Sequence, residues 1–191
     1  MTFRRGFKTE AERIALEIRA ELGWSVMDAL DVFAVAEQLA IPVVPMSALA
    51  GGSSTNGFNR VFRTREQDSF SAITIFAGTA RLIVHNDSHH PHRQSSNIAH
   101  ELSHCILEHM PTRLRDDDSG CLNWNATYEA EADWLGGTLL IPRDGGLHFV
   151  KLGRSIEEIA AQYCVSDKLA RWRIHQTGIV HQAERFARRW R

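Results

Sequence analysis

The chain has 191 residues, of which 43% are hydrophobic and 24% charged, with a formal net charge of −1. That balance supplies a core and excludes a wholly disordered chain. It also excludes a surface built as a whole for nucleic acid or an anionic membrane, and the length suits a single domain spanning 1–191.

In chain order, residues 9–22 form an amphipathic pattern, with Ala11, Ile14, Ala15, Ile18 and Leu22 at helical spacing. Thr9 is the expected N-cap and Gly23 the expected stop. A second helix is expected over 30–40, then a short strand at Ile41–Val44 and a loop from Met46 to Gly57. Strands are expected at Phe58–Phe62, Phe70–Phe76 and Ala80–His85, with Ala77-Gly78-Thr79 as a hairpin turn between the last two. A helix follows from near Ser95 to Glu108, then a loop from Pro111 to Asn125 that carries Asp116, Asp117 and Asp118. Another helix starts near Asn125 or Thr127 and stops before Pro142. Residues 155–178 hold a pair of short helices, and 181–191 form a basic tail with Arg185, Arg188, Arg189 and Arg191. Helices, a small antiparallel sheet, then helices give an α+β fold.

Chemistry concentrates in His100-Glu101-Leu102-Ser103-His104, an HExxH sequence. On a helix, positions i and i+4 share a face, so both imidazoles can reach one zinc ion. Glu101 is rotated by about 100° from His100. It therefore sits beside the metal rather than in its coordination sphere, where a base can take a proton from the attacking water. A catalytic zinc takes three protein ligands. Glu129 and Asp133 share a face of the next helix; Glu129 is the expected third ligand, and Asp133 the acceptor for the free ring nitrogen of a ligand histidine, His100 being preferred. The HExxHxxGxxH alternative fails, because Leu107 and Met110 stand where Gly and His are needed. Glu131 is a rival ligand on another face. His109, five residues past His104, reads as a surface or helix-end histidine, and His85, His89, His90 and His92 as loop histidines.

The motif lies among Ile98, Ala99, Leu102, Cys105, Ile106 and Leu107, where polar groups are costly unless paired or metal-bound. Cys105 reads as a small buried hydrophobe. The cysteines (Cys105, Cys121 and Cys164) are odd in number and form no CxxC pair, which predicts a reducing compartment. Met1–Gly23 is charged and lacks an apolar signal core, and no run approaches the roughly 18 apolar residues of a membrane span. A cytoplasmic protein without a membrane partner is expected.

The chain resembles the ImmA/IrrE family of metallopeptidases. Asn97–His104 is similar to the family's active-site helix. Glu129–Asp133 through Leu139-Leu140-Ile141-Pro142 is similar to its second helix. Ala160–Ile174, with Tyr163, Val165-Ser166, Ala170 and Arg173, is similar to its C-terminal helical pair. The resemblance runs over about 10–178 and implies a zincin-like fold, Zn2+ held by His100, His104 and Glu129, and Glu101 as catalytic base. It also implies a zinc metallo-endopeptidase that cuts a helix-turn-helix transcriptional repressor in stress response or mobile-element control. Where the family often has Phe-Thr and Gly, this chain has Ser96-Asn97 and Ser103; Ser103 is expected to place a polar side chain near the site.

Substrate backbone is expected to pair with the edge of the strand Ala80–His85. Tyr128, His148, Tyr163 and His175 are the candidates for a second oxyanion donor. A non-catalytic zinc-binding regulator acting through a partner is the alternative function. Lys168, Arg171 and Arg173 after Ser166 have the look of a DNA-reading helix, but near-neutral charge argues against direct nucleic-acid contact.

Overall fold

The structure, a computed structural model, describes residues 3–50, 70–109 and 125–189. It is an α+β arrangement of the zincin-like type. Helix α1 (Phe7–Glu21) starts after Gly6, which takes a left-handed φ of 84°, so it begins two residues before the expected Thr9 cap. Its buried stripe of Phe7, Ala11, Ala15 and Ile18 follows helical spacing. Helix α2 (Val32–Gln38) is capped by Asp31, whose carboxylate accepts from the Phe33 amide. Strand β1 (Val43–Pro45) leads directly into a short helix α3 (Met46–Ala50), where a loop was expected. The rest of that loop and the expected strand Phe58–Phe62 lie outside the described residues.

Strands β2 (Ala72–Ala77) and β3 (Ala80–His85) form the expected hairpin around Gly78, whose φ of 64° suits glycine. The sheet is mixed, with order β1-β3-β2. β1 pairs parallel to β3, because the chain passes through further residues before returning to the sheet, whereas only the hairpin is antiparallel. β3 is thus the central strand and cannot offer a free edge, which corrects the expectation for substrate pairing. Among the described residues β2 is an outer strand.

Helix α4 (Pro91–Ile106) begins four residues earlier than expected. Pro91 occupies the first turn, where a missing amide costs nothing, and the His90 ring accepts from the His92 amide. Ile98, Ala99, Leu102 and Cys105 are buried and join the same core as Ile83 of β3. Helix α5 (Ala126–Leu140) starts at Asn125, whose side chain accepts from the Thr127 and Tyr128 amides. It packs on both α1 and α4 and is buried on nearly every side. A Cβ at Gly136 would stand 3.3 Å from the backbone of Ala99 and His100, so this glycine sets how closely α5 approaches α4.

Helix α6 (Arg143–Lys151) was not expected, since Gly145-Gly146 weakens helix propensity. Packing demands it: a Cβ at Gly145 would lie 2.1 Å from both the Tyr163 hydroxyl and the Val26 carbonyl oxygen. Helices α7 (Ile156–Gln162) and α8 (Asp167–Gln176) form the expected pair, the first with a Ser155/Glu158 capping box. Residues 181–189 of the basic tail belong to helix α9 (Ile179–Arg189), which packs on α6. Among the described residues no helix is long and apolar enough to cross a membrane.

Candidate metal centre

The site lies between α4 and the first turn of α5. Along α4, Ile98, Leu102 and Cys105 anchor one face in the core. This turns His100 and His104, one helical turn apart, toward α5. The Nε2 atom of His100 is 3.2 Å from Glu129 Oε2, and that of His104 is 3.5 Å from Glu129 Oε1. The two Nε2 atoms are 3.1 Å apart. Among the described residues, His100, His104 and Glu129 are the one group of at least three metal-ligating side chains whose donor atoms converge, all within 4.8 Å.

Asp133 is brought to the far side of His100, with Oδ1 2.9 Å from Nδ1. That contact makes Nδ1 the nitrogen that keeps its proton and leaves Nε2, which faces the cluster, as the one a metal would take. Burial opposes charge on His100, but the bonds to Asp133 and Glu129 and the nearby Glu101 carboxylate outweigh it and raise its pKa to about 10. Burial likewise works against ionised Glu129, yet its contacts with His100 and His104 hold its pKa at about 2. The first turn of α5 adds the positive end of a helix dipole near that carboxylate. Two imidazoles and one carboxylate are a fitting donor set for a divalent transition metal.

Glu101 points to the sheet side. Its Oε2 accepts from the Thr74 hydroxyl of β2 at 2.6 Å. Thr74 stands opposite Ile83 in the hairpin register, and both β2 and β3 pack against α4. No local sequence signal connects Thr74 to a helix 27 positions away; only strand register could have revealed it.

His109 lies just past the helix end, one of its two expected places, but it is buried, which corrects the surface reading. α4 ends at Ile106, Glu108 adopts a left-handed φ of 53°, and the His109 amide donates back to the His104 carbonyl at 3.0 Å. Its Nδ1 then lies 3.0 Å from His104 Nδ1, and its Nε2 lies 3.4 Å from Glu131 Oε2. Burial, and then the nearby His104, hold the His109 pKa below its ordinary value against the upward pull of Glu131. Glu131, the rival ligand, points away from the cluster to His109 and Arg4. Ser103 is turned away as well: its hydroxyl donates to the Ala99 carbonyl at 2.7 Å within the helix. Cys105 is buried as expected.

Of the oxyanion candidates, Tyr163 is buried and donates to the Val26 carbonyl, while His148 and His175 are exposed on α6 and α8. Tyr128 alone of the four adjoins the site, stacked on the His109 ring.

A helix-borne HExxH packed over a small sheet, with a carboxylate from the next helix closing on both histidines, defines a zincin-like protein with a candidate metal site. The chain belongs to the IrrE N-terminal-like domain family (peptidase M78), whose sequence profile it matches over residues 36–175. That match covers well over half the chain and agrees with the ImmA/IrrE resemblance, and membership carries a metallopeptidase-type function. A search of curated proteins finds no match.

Proposed function

We propose that this protein is a zinc-dependent endopeptidase. The observation that supports this most is the convergence of His100, His104 and Glu129 beside a glutamate that stays out of the cluster. In this reading His100 and His104 hold zinc through Nε2, and Glu129 through its carboxylate. Among the described residues no fourth histidine, cysteine or carboxylate joins them, which suits a catalytic rather than a closed structural site. When bound, zinc supplies Lewis acidity for activating water and polarising a carbonyl.

The remaining work falls to the chain. Glu101 takes a proton from the attacking water as its oxygen forms the new bond to the scissile carbonyl carbon. It then delivers that proton to the amide nitrogen as the C–N bond breaks. Thr74 holds Oε2, which fixes the carboxylate plane and leaves Oε1 for the proton. The outer strand β2, which carries Thr74, is the surface on which an extended substrate segment pairs.

The substrate class, a helix-turn-helix repressor, rests on the family resemblance, as does a role in stress response or mobile-element control. The test incubates zinc-loaded protein with helix-turn-helix regulators encoded beside its gene and reads fragments by mass spectrometry. Cleavage at one bond, abolished in Glu101→Gln, is the expected result. Tight regulator binding without cleavage, unchanged in Glu101→Gln, would replace the peptidase with the non-catalytic zinc-binding regulator.

A further inference from the structure

We infer that His109 and Glu131 form a relay that positions the His104 ring for metal binding, the counterpart of Asp133 at His100. This rests on the proposed reading of His104 as a ligand through Nε2. The relay begins with backbone geometry. The left-handed turn at Glu108 ends α4 and folds the chain back, so His109 sits behind His104 instead of continuing round the helix. Two imidazole nitrogens 3.0 Å apart need one N–H and one lone pair between them. With the Nε2 lone pair of His104 committed to the cluster, its proton lies on Nδ1, and His109 Nδ1 must accept it.

The remaining proton of His109 then lies on Nε2, which faces Glu131 Oε2. The other carboxylate oxygen of Glu131 meets Arg4, at 3.5 Å from its amide and 3.6 Å from its Nε. Each link therefore has one sense: His104 donates to His109, His109 donates to Glu131, and Arg4 faces the carboxylate. Reversing the His109 tautomer would set N–H against N–H at one end and a lone pair against a carboxylate at the other.

The parts have little room to rearrange. The His109 and Glu131 side chains are 6% and 5% exposed. The His109 ring stacks on Tyr128 with centroids 4.3 Å apart and planes 8° from parallel. His109 is not a further ligand, because Nδ1 faces the back of His104 and Nε2 faces Glu131. The two histidines of the motif are thus oriented by different groups: His100 by a carboxylate directly, His104 by an imidazole that is itself backed by a carboxylate.

The first test uses zinc-loaded, 15N-labelled wild type and long-range 1H–15N correlation of the imidazoles, assigned with His109→Gln. His109 in the Nε2–H form and His104 in the Nδ1–H form are expected; His109 in the Nδ1–H form overturns the relay. The second measures zinc affinity by chelator competition. His109→Phe keeps a ring against Tyr128 but removes the acceptor, and weakens zinc binding about 10- to 100-fold. His109→Gln, whose amide can accept from His104 and donate to Glu131, recovers most of that loss. Equal affinity in His109→Phe and wild type, or no recovery in His109→Gln, contradicts the relay. If His109→Phe does not fold, the tautomer result on wild type decides. Wild type that takes up no zinc would instead remove the proposed function, and the relay with it.

Discussion

The two ends of α5 both keep ionisable side chains away from water, and they meet the cost differently. At the C-terminal end, Arg19 Nη2 donates to the carbonyls of Leu139 and Leu140, and Arg173 Nε donates to that of Ile141. Arg19 Nη1 takes two more carbonyls, of Ser25 and Asp28, and Arg173 pairs with Glu12 while lying over the Trp134 ring. Cations there satisfy carbonyls that a helix end leaves without partners and complement its dipole. Carbonyls satisfy Arg19, and Glu12 supplies the counter-charge of Arg173. At the N-terminal end the balance is different: two imidazole nitrogens and a carboxylate point at one another. On the proposed function such a donor set takes a cation from outside. The arginines at one end are fully buried and the cluster at the other is half-buried; only at the N-terminal end do metal-ligating groups converge.

Substitutions should separate the two ends. The largest effect belongs to Glu101→Gln, which removes the base but no member of the metal cluster. Cleavage should fall about 10²- to 10⁴-fold, with zinc content and thermal unfolding unchanged. Arg173→Ala acts at the opposite end. It removes the cation from Glu12, which keeps only the Arg143 amide, and uncovers the α5 terminus, and should cost about 3 kcal/mol in denaturant unfolding, while zinc stoichiometry of the folded protein stays the same. Thr74→Val removes the hydroxyl that holds Glu101. It should lower the cleavage rate about tenfold, the worth of one hydrogen bond near 1.4 kcal/mol, with zinc affinity preserved.

A smaller effect is read from pH. His100 has its folded pKa raised to about 10, above the ordinary 6.5. In chelator-treated protein its contribution to stability is fully present below pH 6.5 and is lost as pH rises through about 10. At pH 7 it therefore holds a proton that zinc must displace. Calorimetry in buffers of different ionisation enthalpy should show about one proton released per zinc bound; uptake of a proton would reverse the assignment.

Much of this was legible in the sequence, and the gaps have physical causes. The i, i+4 spacing of His100 and His104, and of Glu129 and Asp133, survives into three dimensions because both pairs lie within regular helices. The helix end marked by glycine at Gly23 was easy to read. Ends closed by Ala40, Glu108 and Cys164 in left-handed conformations carry no such signal. The turn at Glu108 hid His109, since it folds the chain back behind His104 without a glycine to mark it. α6 was hidden by Gly145-Gly146, where close packing against Tyr163 and Val26 overrides propensity. Thr74 and the central place of β3 depend on strand order, which local pattern does not encode.

On the proposed function Glu129, and not Glu131, completes the metal site. Metal content by mass spectrometry on wild type, Glu129→Ala and Glu131→Ala tests it most directly. Wild type should hold about one zinc per chain and Glu129→Ala none, while Glu131→Ala should retain zinc but bind it more weakly. Zinc kept in Glu129→Ala and lost in Glu131→Ala, or no zinc in wild type after loading, would contradict this assignment.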